Sequence, residues 1–179
     1  MASESDSTTS CFVPHLVEQV FNLYRSKAES KSLTEEERGQ FFYDLSTLLG
    51  QELVLKSLHL LDDHNFAFFH AKNNRSVCVV EISKGNEFFR LIPGVSFCKC
   101  EFFQCHVLQL PRGILYPDVP SGQQGILEDW SEDSWVSFTC PHILALRLHQ
   151  FLKHTGRKTS EQILKKEDIK ELQRDVFRD

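Results

Sequence analysis

Residues 139–145 read Thr139-Cys140-Pro141-His142-Ile143-Leu144-Ala145, and the reading of the whole chain turns on this stretch. A thiol and an imidazole flank a proline. Inside a helix, side chains two residues apart diverge by about 200°, so Cys140 and His142 cannot both reach one ion from there. They can if Cys140 is the last residue before a helix and His142 lies in its first turn. Pro141 fits that boundary, because proline is favoured at the first helical position. A second pair lies upstream, Cys98-Lys99-Cys100. In extended backbone, residues two apart point to the same side, so both sulfurs can face one ion. Cys98, Cys100, Cys140 and His142 then form a three-thiolate, one-imidazole set, the closed tetrahedral type that holds a structural Zn²⁺. A closed set leaves no position for a catalytic water, which argues against a zinc hydrolase. Cys98, Cys100, Cys105 and His106 are a more compact alternative. Adjacent residues on a helix point about 100° apart, and that strains joint ligation by Cys105 and His106.

Outward from these pairs, the pattern is α+β. Residues 1–11 read as a disordered leader and 12–62 as a helical region. Pro14 opens the first helix, with Leu16, Val17, Val20, Leu23 and Tyr24 at helical spacing, and a polar break follows from Lys27 to Leu33. Thr34 and Glu37 form a capping box ahead of Phe41, Phe42, Leu45, Leu48 and Leu49, and Gly50 ends that helix. A third helix is predicted over 51–62. Residues 63–156 read as a small antiparallel β-meander plus a zinc finger of strand and helix, containing a long loop at 111–134. The meander strands are Asn65–Ala71, Val77–Ile82 and Glu87–Ile92, separated by Lys72-Asn73-Asn74 and Lys84-Gly85-Asn86. A short fourth strand is predicted at Val95–Cys98. A two-turn helix is predicted at Phe102–Leu110, another strand at Trp135–Phe138, and an amphipathic helix at 141–154 ended by Gly156. Thr159 and Gln162 cap a final polar helix, within 157–179, running to about Arg174.

Composition narrows the function. The chain has 179 residues, Lys+Arg 20 against Asp+Glu 25, and a net charge of −5, an ordinary balance for one globular domain and a poor one for bulk nucleic-acid binding. No apolar run approaches the ~20 residues of a membrane span, and no small-molecule site is legible. The opening Met-Ala-Ser-Glu-Ser-Asp lacks the layout of a secretory or mitochondrial signal, so a cytosolic or nuclear location is expected. In such a compartment 6 cysteines point to metal ligation before disulfides. Cys78, alternating with Val77 and Val79, reads as packing. No phosphate loop, Gly-x-Ser-x-Gly elbow or His-Glu-x-x-His is present, and the chain is read as non-enzymatic. From Arg147 to Arg174 eight basic residues face four acidic ones, a net of +4. Arg147, Lys153, Arg157, Lys158, Lys165 and Lys166 are therefore the candidate DNA contacts, set against a plain solvated helical face.

Phenylalanine is frequent, at 15 residues. The consecutive pairs Phe68-Phe69, Phe88-Phe89 and Phe102-Phe103 put an aromatic on both faces of a meander. Either the N-terminal helices pack a two-sided core, or one face is a partner interface.

The order Cys-x-Cys, spacer, Cys-x-His resembles the SWIM-type zinc finger. Its extension to Cys140-Pro141-His142-Ile143-Leu144-Ala145 is similar to the Cys-x-His-x-x-Ala of the SWIM-domain subunit of the Shu complex. The likeness covers roughly residues 45–170. It departs in its 39-residue spacer, Glu101 to Thr139, which is long and acidic, and in Pro141 between the ligands. The resemblance implies one structural Zn²⁺ and a nuclear, non-catalytic subunit. It implies pairing as a heterodimer with a RecA-like recombinase paralogue, and contact with single-stranded DNA through the complex. The implied role is promotion of strand-exchange filament assembly in homologous recombination. The alternative is a zinc finger that binds single-stranded DNA directly through its basic C-terminal helices.

Overall fold

A computed structural model describes residues 13–108, 138–152 and 159–178. The expected leader (1–11), the whole of the loop 111–134, the strand at Trp135–Phe138 save its last residue, and the Gly156 helix end lie outside the described residues. The chain divides into two compact units, Met1–Leu48 and Leu49–Asp179.

The first unit holds α1 (Val13–Ser30) and α2, whose range Glu35–Leu49 ends at the division. The helix α1 continues through Lys27–Ser30, where sequence predicts a polar break. Val17, Phe21 and Tyr24 of α1 and Phe41 and Leu45 of α2 are buried, each set at three-to-four spacing. Phe41 receives the edge of Phe21 (ring centroids 5.4 Å apart) and the tilted ring of Tyr24 (5.2 Å). The Tyr24 hydroxyl donates to Asp44 Oδ2 at 2.8 Å. Burial, that hydrogen bond and the Asp44 charge push its ionisation up to about 12. At the start of α2 both bonds of the capping box form. Glu37 N–H donates to Thr34 Oγ1 at 3.2 Å, and Thr34 N–H donates to Glu37 Oε2 at 2.9 Å. Gly50, at φ +82°, takes the left-handed conformation that ends α2 and precedes α3 (Gln51–Asp63).

The second unit is built on a four-stranded mixed sheet with the order β3-β2-β1-β4. β1 (Asn65–Ala71), β2 (Asn74–Lys84) and β3 (Glu87–Leu91) form the antiparallel meander, with Phe66 opposite Ile82 and Ile82 opposite Phe89. Gly85, at φ +61°, permits the second hairpin turn. The fourth strand is not Val95–Cys98. Ile92-Pro93-Gly94-Val95 is a tight turn, with Gly94 at φ +82° and Val95 N–H bonded to Ile92 O at 3.0 Å. Proline then glycine at its centre is the type II pattern, and it carries the chain off the β3 line. The fourth strand is instead β4 (Thr159–Leu164), which pairs parallel to β1. The sequence places these six residues in a helix because Thr159 and Gln162 mimic a capping box. The free edge of β1 overrides that local preference, Lys72 N–H closing the pairing on Leu164 O at 3.0 Å. The final helix therefore begins later. Counting α4 (Glu101–Phe103, continued by a π-helical turn at Gln104–Leu108) and α5 (Pro141–Leu152), it is α6, Lys166–Phe177.

Both sheet faces are covered from within this unit. Phe66, Phe68, Val80, Ile82 and Phe89 share one face by their register. α5 lies on it, with His149 stacked on Phe66 at 4.7 Å and His142 tilted against Phe89 at 4.0 Å, and α3 packs against α5. The other face carries Glu81 and Arg90, and Arg90 bridges Glu81 and Asp175 of α6, both at 3.0 Å. α6 crosses β1, β2 and β3, burying Ile169 and Val176. Phe68, Phe69 and Phe89 are half-buried on the sheet, Phe103 is buried on α4, and the helices of this unit over the sheet are α5 and α6 rather than the N-terminal pair α1 and α2. Phe88 is 53% exposed at the hairpin end, with the Arg90 guanidinium 4.8 Å from its ring centre.

Candidate metal centre

Cys98 and Cys100 lie on the irregular segment that leaves the Pro93-Gly94 turn. Cys100 has extended backbone (φ −64°, ψ 148°) and is the N-cap of α4. Two backbone N–H groups donate to the sulfurs, Cys100 N–H to Cys98 Sγ at 3.5 Å and Phe103 N–H to Cys100 Sγ at 3.4 Å. Such donors orient a thiolate and spread its charge. The downstream pair sits as the proline requires. Cys140 directly precedes α5, its carbonyl accepting from Leu144 N–H at 3.0 Å, Pro141 is the first helical residue, and His142 falls in the first turn. Ala145, one turn on, is fully buried, so its small side chain lets α5 press close to its neighbours.

This brings together Cys98, Cys100, Cys140 and His142, whose ligand atoms all lie within 4.8 Å of one another. The three cysteines are buried, and His142 keeps a partly exposed edge. In a tetrahedral site with Zn–S of about 2.3 Å and Zn–N of about 2.0 Å, ligand atoms stand about 3.6–3.8 Å apart, so the group needs only small adjustments to hold one ion. The donor set fits zinc: three soft sulfurs, one imidazole, and four ligands that complete a tetrahedron. Zinc bound there would supply a cross-link between the 98–100 segment and α5. The metal-free thiols share their protons unequally. Hydrogen bonds from Cys140 and then Cys98 push Cys100 far down. Cys98 is pushed up to about 12, first by its hydrogen bond to Cys100 and then by burial, and Cys140 is pushed up further by its bonds to Cys100 and Cys98.

The alternative set is not assembled. Cys105 is exposed on the π-helical turn, and His106 stacks on Phe102 at 4.6 Å. Cys78 is a buried core thiol, raised to about 11 chiefly by desolvation and secondarily by Glu161. Of the candidate DNA contacts, Lys153, Arg157 and Lys158 lie outside the described residues. Arg147 is half-buried on α5, and Lys165 and Lys166 are exposed where β4 passes into α6. α6 carries Lys166, Lys170 and Arg174 against Glu167, Asp168, Glu171 and Asp175, so it is not a basic helix.

Sequence reading missed the part played by Phe89 and His149, which join α5 to the sheet. His149, 6% exposed, also bonds through Nε2 to Thr159 Oγ1 at 2.9 Å. The helical spacing of His142 and His149, seven residues apart, was the signal that both lie on one face of α5. No helix among the described residues is long and apolar enough to cross a membrane. Compared with known proteins, the chain matches no family model, no curated protein and no solved structure.

Proposed function

We propose that this chain is a non-catalytic, zinc-stabilised subunit of a Shu-like complex, with a SWIM-type finger as its metal module. It pairs in the nucleus with a RecA-like recombinase paralogue and promotes assembly of the strand-exchange filament on single-stranded DNA. The observation that carries the reading is the closed Cys98-Cys100-Cys140-His142 cluster, in which every ligand comes from the chain. Such a centre has a structural use, fixing two distant segments as one surface. The buried alanine one turn after the histidine supports the same motif.

The test is recovery of partners with the tagged chain from cells, wild type beside Cys98→Ser, followed by mass spectrometry. The expected result is a RecA-like ATPase with wild type and its loss with the variant. A wild-type chain that carries zinc but recovers no ATPase, and instead binds single strands in a salt-sensitive way, would overturn this reading in favour of a direct DNA-binding finger.

A further inference from the structure

We propose that His142 holds the metal through Nδ1, and that Phe89 is the positioning residue that keeps its ring in that orientation. The inference rests on the metal centre above and goes beyond it by naming the ligating atom and what orients it.

The first observation is a distance. His142 Nδ1 stands 3.9 Å from Cys98 Sγ, within a few tenths of an ångström of the sulfur–nitrogen edge of a tetrahedral zinc site. Reach agrees. Cysteine sulfur is one bond from Cβ and Nδ1 is two, so Cys140, just before α5, and His142, in its first turn, can meet at an ion close to the helix end. Ligation through Nε2 would set the ion about 2 Å farther out, away from the shorter cysteine.

The second observation concerns what fixes the ring. Histidines that bind metals usually donate their other N–H to a carboxylate or carbonyl, which sets tautomer and orientation. Among the described residues, His142 donates to no carboxylate or carbonyl. The ring instead packs on Phe89, centroid to centroid 4.0 Å at an interplanar angle of 35°. Phe89 is held in turn, because it stands on β3 opposite the fully buried Ile82. A rigid aromatic on a sheet strand does here what a hydrogen bond does elsewhere: it removes the ring rotation that would turn Nδ1 away from the sulfurs. The sheet and the metal centre are thereby joined through one aromatic contact.

The test uses the full chain loaded with Zn²⁺. Long-range ¹H–¹⁵N spectra of histidine-labelled protein should show His142 metal-bound at Nδ1 and protonated at Nε2. The reverse pattern overturns the assignment. Metal release to a chelating dye should be about tenfold faster in Phe89→Ala and Phe89→Leu, which lose the contact that orients the ligand ring, and close to wild type in Phe89→Tyr, which restores it. Val80→Ala, a core truncation away from the ligands, should leave release unchanged while lowering stability. Release from Phe89→Leu at the wild-type rate, or from Phe89→Tyr as fast as from Phe89→Leu, overturns the positioning role. Wild-type chain without bound zinc would overturn the metal centre itself. Failure to recover an ATPase partner would bear only on the proposed function.

Discussion

Ile169 is the residue through which α6 most directly covers the second face of the sheet. It is 1% exposed, on the helix that covers the Glu81–Arg90 face of the sheet. Truncation to alanine removes three carbon atoms. At about 0.8 kcal/mol per buried methylene the transfer loss is about 2.4 kcal/mol. The incompletely collapsed space brings the total to about 3–4 kcal/mol. Urea denaturation followed by far-ultraviolet circular dichroism would report this as a lowered midpoint, with Lys170→Ala, at the exposed neighbouring position, shifted by no more than about 0.5 kcal/mol. Native-state hydrogen exchange should show the loss in the amides of β1 and β2 as well as in α6, since the three pack together. An Ile169→Ala change within 0.5 kcal/mol of wild type is the contrary outcome. It would mean that α6 does not close this face, and that the consecutive phenylalanines present a surface to another molecule.

Cys140→Ser and His142→Ala should each abolish tight binding of one zinc equivalent, while Cys105→Ser retains it, as measured by metal content after gel filtration. Zinc affinity should rise with pH through neutrality and on toward about 12, because Cys98, pushed up to about 12, and Cys140, pushed up further, must each surrender a proton to the metal. Competition against a chelator at several pH values checks the slope, and a pH-independent affinity would count against it. Tyr24→Phe should remove a tyrosine ionisation near pH 12 in an ultraviolet titration. The folded value lies above the ordinary 10, so the stability linked to Tyr24 is present in full below pH 10 and disappears as the pH climbs through about 12. Thr34→Ala should cost about 1 kcal/mol through loss of the α2 cap, read from thermal denaturation.

The candidate ligands were legible because each rests on short-range geometry. Proline at a helix start and alternation in extended backbone place side chains without reference to the rest of the chain, and Cys98, Cys100, Cys140 and His142 converge accordingly. The capping box at Thr34 and the turn at Gly85 are local in the same sense. β4 was not legible. Thr159-Ser160-Glu161-Gln162-Ile163-Leu164 has no apolar alternation, because four of its six residues are exposed on an edge strand. Only the open side of β1, 93 positions away between Phe66 and Thr159, makes the segment extend. The cover on the second sheet face was hidden for the same reason. Paired phenylalanines reveal that both faces are apolar, not which helix lies over them. Pro93-Gly94 was legible as a turn, yet its effect of steering Val95–Cys98 away from pairing depends on turn type, which needs the φ of Gly94.

The parallel pairing of β4 with β1 would give a metal held by Cys98 and His142 a bearing on the order of folding. The sheet cannot be completed until Thr159 returns to the meander, 68 positions after Leu91. A metal linking Cys98 to His142 bypasses the chain between them, leaving 7 positions from Leu91 to Cys98 and 17 from His142 to Thr159. Shortening the open chain from 68 to 24 positions lowers the closure entropy cost by about 0.9 kcal/mol. That is about a fivefold higher probability that β4 meets the edge of β1 in any given encounter. Chelation before folding should therefore delay completion of the sheet while leaving the early β1–β3 meander free to form at its own rate, because all of its pairings are local.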